Sequence, residues 1–388
     1  MSEQAIYGDT AYYGVALINR SGNGALPVGE HNFAEAMDRC VLVDKTMFIA
    51  DVLDADASVV ACCRPEGFGK SMNLSMLKAF LGRPTVGQVD WGLFADSQIW
   101  DADGGRYRDE FACYPVISLD FSGAARCGAN VVGVVRDALS GECARLLPLL
   151  EAPDLAQDKV RHIERVARGV ASEDEVASVL GVLIELLEMA CDEQVVLLVD
   201  EYDAAWSRRT SARGASGADP AKLFDRVLFD AIAAAGDSLR LACLMGEHPC
   251  PAETALSLRG CSYCMSTPLS GWCDRWFGFS DDEAQALLGH VGRGEYLDDA
   301  REWFEGYRFG GYYCSNPARV IDFLNRGCTP PVRADLYGYA DSLSRAVGDW
   351  NLERLATLFD LLEPHGCAEA PLCLGAVVSN DACVDDVW

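Results

Sequence analysis

The sequence predicts an α/β fold in which a parallel sheet is flanked by helices, followed by a smaller, mainly helical region. Two stretches carry the prediction. Residues 58–80, SVVACCRPEGFGKSMNLSMLKAF, open with a short apolar run, Val59 to Cys63, of the kind that makes a buried strand. The run turns through Arg64, Pro65, Glu66, Gly67, Phe68 and Gly69. Then Met72, Leu74, Met76, Leu77 and Phe80 fall on one helical face. Residues 194–203, QVVLLVDEYD, supply a second apolar run that ends in Asp200-Glu201. Such a run reads as a parallel strand buried on both faces, and ligands of open α/β sheets gather at the carboxyl ends of those strands.

Strand, glycine-containing turn, Lys-Ser and helix is the layout of a phosphate-binding P-loop. The turn points backbone N–H groups inward, and the helix N-terminus adds partial positive charge, so residues 64–72, from Arg64 to Met72, form an anion cradle. Lys70 is placed to reach the outer phosphates, and the Ser71 hydroxyl to bind Mg²⁺. One position departs from G-x-x-x-x-G-K-[ST]: Arg64 stands where the first glycine is expected. The alternative is an ordinary strand–turn–helix connection with an incidental Gly-Lys-Ser. In the second stretch Asp200 is suited to hold Mg²⁺ through water, and Glu201 to orient or deprotonate an attacking water. Its alternative is a strand ending in a solvated acidic turn. Both stretches in one chain, in this order, favour a P-loop NTPase.

Composition narrows the function classes. The chain has 388 residues, half of them hydrophobic, enough for one large domain and a smaller one. The formal net charge is −27, and the only lysines are Lys45, Lys70, Lys78, Lys159 and Lys222. That balance repels phosphate backbones and argues against direct duplex DNA binding by the surface as a whole. No segment reaches the apolar length of a membrane span, and residues 1–16 lack the pattern of a secretory leader, so a cytoplasmic protein is expected. Of the 17 cysteines, Cys261 and Cys264 have metal-ligand spacing, with Cys250 and Cys273 nearby. No second C-x-x-C pair or paired His follows, and reduced, mostly buried thiols are the expectation over zinc.

Taken in order, residues 1–35 read as a lead-in, with a short strand over 13–18. Asp44 is expected to cap a helix running through Phe48, Ile49, Val52 and Leu53. Residues 36–270 form the core. Within it, 82–105 is a loop-rich insert, and 114–121 (YPVISLDF) is a strand whose Asp120 either faces the site or caps a turn. Residues 129–150, 155–167 and 172–189 have helical spacing, the last capped by Ser172 with acidic residues in its first turn. A polar loop over 211–219, a helix over 223–235 and strands over 239–245 and 263–267 complete the core. That order fits a RecA-like sheet with an additional strand between the P-loop strand and the Asp-Glu strand. Residues 271–329 contain a helix capped by Ser280 and a last helix capped by Asn316-Pro317. Pro330-Pro331 marks a linker to residues 332–388, where 350–362 is helical.

Five motifs, CVLVDKTMFIADVL, CCRPEGFGKSMNLSMLKAF, YPVISLDFSG, VVLLVDEYD and EWFEGYRFGGYYCSNPARVIDFL, resemble the successive motifs of the AAA-ATPase-like family of bacterial P-loop proteins. The resemblance covers residues 38–328. It implies a RecA/AAA-like core, ATP and Mg²⁺ as ligands, and a helical lid over 271–329. It also implies that residues 43–53 lie near the nucleotide base, and that an Arg-Pro opening of the P-loop is tolerated. Arg308, in Gly306-Tyr307-Arg308, resembles the arginine that AAA-type lids set on the γ-phosphate; a turn in which it packs on Tyr307 or Tyr312 is the alternative. Two positions that are usually basic are Glu66 and Gly67 here, which removes positive charge beside the phosphates. ATPases of this class often end the strand after the Asp-Glu one in a γ-phosphate-sensing polar residue; here the end reads Met245-Gly246-Glu247, and Met245 cannot donate a hydrogen bond. Relatives often carry a C-terminal restriction-endonuclease-like nuclease domain, whose site needs carboxylates and a basic residue, usually lysine. No lysine follows Lys222, so residues 330–388 are expected to be a remnant without that site. The expected function is a Mg²⁺-dependent ATPase, slow in isolation, with Lys70, Glu201 and Arg308 as its catalytic groups. The alternative is a nucleotide-binding switch or scaffold acting on a protein partner without efficient hydrolysis.

Overall fold

A computed structural model describes residues 14–20, 22, 24–125, 130–204, 220–250, 258 and 260–329. The first elements are a short antiparallel pair, β1 (Leu17–Ile18) and β2 (Leu42–Val43), around helix α1 (Phe33–Arg39). Helix α2 (Phe48–Asp54) leads to β3 (Val59–Cys63), and the glycine loop leads to α3 (Lys70–Leu81). A short helix α4 (Gln98–Asp101) precedes β4 (Val116–Asp120). Helices α5 (Val131–Leu146), α6 (Gln157–Ala167) and α7 (Glu173–Cys191) then come before β5 (Val195–Asp200). Next come α8 (Pro220–Ala235), β6 (Leu239–Gly246) and β7 (Tyr263–Ser266).

These strands make one five-stranded sheet in the spatial order β4-β5-β6-β3-β7, with every neighbouring pair parallel. β6 therefore lies between the loop-bearing strand and the Asp-Glu strand, as the additional strand expected from chain order. Every residue of β3 and β5 is buried, because both sheet faces are covered. Side chains alternate across the sheet. Val59, Ala61, Val195, Leu197 and Val199 pack toward α5–α8, while Val60, Cys62, Val196 and Leu198 pack toward α1–α3. α7 starts as its sequence requires: Ser172 and Glu175 form a reciprocal capping box.

Beyond the sheet lie α9 (Asp281–His290), α10 (Leu297–Phe304), a hairpin of β8 (Glu305–Phe309) and β9 (Tyr312–Ser315), and α11 (Pro317–Asn325). Leu287, Leu288, Phe304, Val320 and Phe323 make a small core of their own, against Val41. The hairpin stands where a turn was expected at residues 306–308. GYRFGGYYCS is dense in β-favouring aromatics, and its Gly310 turns at φ +54°, where an added Cβ would come within 2.6 Å of the Ser270 carbonyl.

Asp44 is not the N-cap of α2. That position is Met47, which makes no side-chain cap bond. Asp44 is buried and accepts hydrogen bonds from Thr46 N (2.8 Å), Thr46 Oγ1 (2.6 Å) and Gln98 N (2.8 Å), fastening the turn before α2 to α4. An aspartate satisfies the backbone two residues on more readily than one four residues away. The helix expected over 350–362, the remnant over 330–388, the loop over 211–219 and residues 1–13 of the lead-in lie outside the described residues. Among the described residues, no helix is long and apolar enough to cross a membrane.

Candidate functional site

The carboxyl ends of β3, β5 and β6 meet at one edge of the sheet. Register puts Cys62 of β3 and Asp200 of β5 on either side of Met245, and Asp120 of β4 beside Asp200. β3 runs straight into the glycine loop. Gly67 and Gly69 both have left-handed backbones (φ +84° and +80°), which lets the loop curl back before α3 begins at Lys70. A side chain at Gly67 would collide with Asn316, 2.7 Å from its Oδ1.

Lys70 lies under this loop, only 6% exposed. Its Nζ donates to the carbonyls of Arg64 (2.9 Å) and Pro65 (3.3 Å). It also sits 3.5 Å from Glu201 Oε1 and 3.8 Å from Glu247 Oε1. Ser71 follows in the first turn of α3, on the Asp200 side, close enough for its hydroxyl to favour the charged Asp200 carboxylate. Asp200 is buried, and that burial raises its pKa; the Ser71 hydroxyl opposes the rise and the nearby Asp120 adds to it. Asp120 also holds its own turn, accepting from Ser122 N at 2.8 Å.

Glu201 is a non-glycine residue at φ +52°, a costly conformation that swings it off the line of β5 toward Lys70. Its amide donates to Asp200 Oδ1 (3.1 Å). Burial pushes the Glu201 pKa up to about 7, with Lys70 lowering it and Asp203, Glu247 and Asp200 raising it. Lys70, Ser71, Asp200 and Glu201, far apart in sequence, are thus brought to one place.

Other residues of the loop go elsewhere. The Arg64 side chain is fully buried and directed into the protein. Its Nη1 donates to the carbonyls of Cys63 (2.8 Å) and Ser266 (3.1 Å), and its Nη2 to Ser266 Oγ (2.8 Å) and the Cys273 carbonyl (3.4 Å). The guanidinium lies between Phe277 and Phe309, 4.8 Å from each ring centroid. Only the Arg64 backbone faces Lys70. Phe68 is also buried, its ring edge-on to Tyr307 (4.7 Å) and Phe309 (5.0 Å) of the hairpin. Met72 packs against the α1–α3 side of the core. Asn316 Nδ2 donates to the Glu66 carbonyl (3.0 Å) and Ala318 N to the Gly67 carbonyl (3.1 Å), so the start of α11 grips the exposed apex at Glu66.

Arg308 is not in the turn expected for it. It lies in β8, between Tyr307 and Phe309, which both face Phe68; strand alternation sends its side chain to the opposite face. There it donates to the Gly310 carbonyl (2.9 Å) and lies 5.4 Å over the Tyr313 ring.

Sequence reasoning missed two residues at this edge. Asp203, 2% exposed, accepts from Glu247 N (3.2 Å), His248 N (2.8 Å) and His248 Nδ1 (2.8 Å). His248, three residues past Met245, lies beside Glu247. The available signal was a Glu-His pair directly after an apolar strand, at the sheet edge where Asp200 and Glu201 end theirs.

A glycine loop joining a central parallel strand to a helix, with an Asp-Glu pair ending the strand two places away, defines a P-loop NTPase-like α/β protein. The sequence pattern described as predicted AAA-ATPase, AAA-ATPase-like, matches residues 27–252, well over half of the chain. The chain belongs to the AAA-ATPase-like family. It is also 27% identical over 308 residues to an uncharacterized protein in the vnfD 5′ region of Azotobacter chroococcum mcd 1, covering 76% of this chain and 51% of that one. The chain thus spans about half the length of the curated relative it matches. No solved structure matches.

Proposed function

We propose that this protein binds ATP with Mg²⁺ at the loop between β3 and α3 and hydrolyses it slowly on its own. The observation that carries the reading is the convergence of Lys70, Ser71, Asp200 and Glu201, with Lys70 Nζ 3.5 Å from Glu201 and Ser71 against Asp200. A hydroxyl beside a buried carboxylate is an oxygen donor set that suits Mg²⁺, which takes one or two such ligands and keeps its waters. When bound, the metal neutralises charge between the outer phosphates. Residues 64–72 cradle the phosphates through their backbone. Lys70 exchanges its two loop carbonyls for phosphate oxygens, and Ser71 and Asp200 supply the metal's protein side. Glu201, set toward Lys70 by its left-handed backbone, orients and deprotonates the attacking water. Arg308, on the far face of the hairpin, takes no part in this arrangement. Residues 271–329 then serve as a brace on the loop, with residues 36–270 as the nucleotide-binding core.

One observation favours a second reading, a nucleotide-binding switch acting on a protein partner: Met245, which cannot donate a hydrogen bond, holds the central position at the sheet edge. Steady-state phosphate release decides between them. Turnover abolished by Glu201→Gln supports the enzyme; ATP binding without turnover supports the switch.

A further inference from the structure

We infer that Asn316 is a positioning residue for the phosphate-binding loop: from the start of α11 it holds the peptide between Glu66 and Gly67 turned so that the Gly67 amide faces the bound phosphates. The inference rests on the nucleotide-binding reading above and names the side chain that shapes the cradle from outside it, 250 positions along the chain. Asn316 is buried, only 5% exposed, and both ends of its amide are engaged. Its Nδ2 donates to the Glu66 carbonyl (3.0 Å), and its Oδ1 accepts from Arg319 N (3.2 Å). A carbonyl on one side and an N–H on the other fix which end of the amide is which.

The first turn of α11 has a use for each of its amides. Pro317 carries none, Ala318 N donates to the Gly67 carbonyl (3.1 Å), Arg319 N to Asn316 Oδ1, and Val320 N to the Asn316 carbonyl (3.1 Å). Two successive loop carbonyls, those of Glu66 and Gly67, are thereby held by α11. In a trans peptide the carbonyl and the following N–H point opposite ways, so a Glu66 carbonyl turned to Asn316 turns the Gly67 N–H away from α11. That N–H has no hydrogen-bond partner among the described residues. The carbonyls of Arg64 and Pro65, by contrast, point to Lys70. The loop therefore reverses its peptide orientation after Pro65. A Glu66 carbonyl left on the inner side would repel an anion there, whereas an inward N–H attracts one. The fit has no slack: a Cβ added at Gly67 would lie 2.7 Å from Asn316 Oδ1 and 3.1 Å from the Ala318 Cβ.

Asn316 also caps α11, so the test must separate the cap from the loop contact. Serine and aspartate cap a helix as well as asparagine does, but neither can offer the amide donor to Glu66. Mg²⁺-ATP and Mg²⁺-ADP are titrated into the full chain and its Asn316→Ser and Asn316→Asp variants, with urea unfolding of each. Ser280→Ala, which removes the cap of α9 and touches no part of the loop, is the control for stability alone. Asn316→Ser should unfold at the parent's midpoint yet lose affinity for ATP and ADP alike by about three- to tenfold, the size of one hydrogen bond. Asn316→Asp, which adds a negative charge, should lose at least as much. Ser280→Ala should unfold earlier and keep both affinities within about twofold. If the parent binds both nucleotides and Asn316→Ser keeps its affinities, or Asn316→Asp does where the serine variant does not fold, Asn316 is a helix cap only. The inference is then overturned while the nucleotide site stands. An equal loss of affinity in Ser280→Ala overturns it too, because binding would then follow stability. If the parent binds neither nucleotide, the nucleotide reading itself fails and the inference goes with it.

Discussion

Replacing Arg64 by glycine restores the common spacing of the phosphate-binding loop, yet the structure predicts that the change damages the protein. The side chain crosses from the end of β3 to β7 and the segment after it, and joins them to the hairpin. Truncation removes two bonds of 2.8 Å, one of 3.1 Å and a long one of 3.4 Å from a charged donor. Each such bond is worth about 1.5–3 kcal/mol, and the buried carbonyls are left to find other partners. It also removes two cation–π contacts at 4.8 Å, each about 0.5–2 kcal/mol, and leaves a cavity between Phe277 and Phe309. Against this stands the recovered desolvation of the guanidinium, several kcal/mol, the same burial that lowers its pKa. The net expectation for Arg64→Gly is a loss of about 3–4 kcal/mol, read from urea unfolding followed by circular dichroism. Arg64→Lys should lose nearly as much, because an ammonium cannot reproduce the planar fork between two rings. A glycine variant as stable as the parent would refute the reasoning. So would one that binds nucleotide more tightly at unchanged stability.

Asp200→Asn should weaken the Mg²⁺–ATP complex by about 1–3 kcal/mol, whereas Glu201→Gln should leave affinity nearly unchanged and cut phosphate release by on the order of 10²-fold; the same phenotype from both would show that the two carboxylates do not divide the work. Burial works against a charged His248 ring, but the Asp203 bond and charge, with Glu247 and Glu201 behind, outweigh it and raise the pKa. A folded pKa above the unfolded one, roughly 6.5, gives stability that is full below the unfolded value and lost as pH rises through the folded one. His248→Gln should therefore destabilise more at about pH 6 than at about pH 9 in urea unfolding, and a gap independent of pH contradicts the pairing. Burial pushes the thiols of Cys63, Cys143 and Cys250 up to about 12, so iodoacetamide at about pH 8 should leave them unmodified in the folded protein and label them after unfolding, as peptide mapping would show.

Much of the fold could be read from the chain because the strands are buried on both faces. Val59 to Cys63 and Val195 to Val199 show the uninterrupted apolar runs that a parallel sheet covered on both faces asks for. The loop could be read because its chemistry is carried by backbone and by Lys70-Ser71. The fate of Arg64 could not, since a motif records which residue opens the loop and not where its side chain goes; that depends on Phe277 and Phe309, more than 200 positions away. The hairpin over 305–315 was hidden because Gly306, Gly310 and Gly311 read as a turn, and strand alternation puts Arg308 on the face away from Phe68. Asp203 and His248 were hidden for a related reason. A charged residue after a strand looks the same whether it faces water or a neighbouring strand's end, and only the placement of β6 beside β5 separates the two.

Calorimetric titration of ATP into the parent and the Lys70→Ala protein, with and without Mg²⁺, tests nucleotide binding at the loop most directly. Without the metal, ATP phosphates meet Asp200 and Glu201 in a partly desolvated cleft, so the parent should bind far more tightly with Mg²⁺ than without it. Lys70→Ala should lose most of that affinity. A Lys70→Ala protein that binds ATP as tightly as the parent would contradict the assignment of the site.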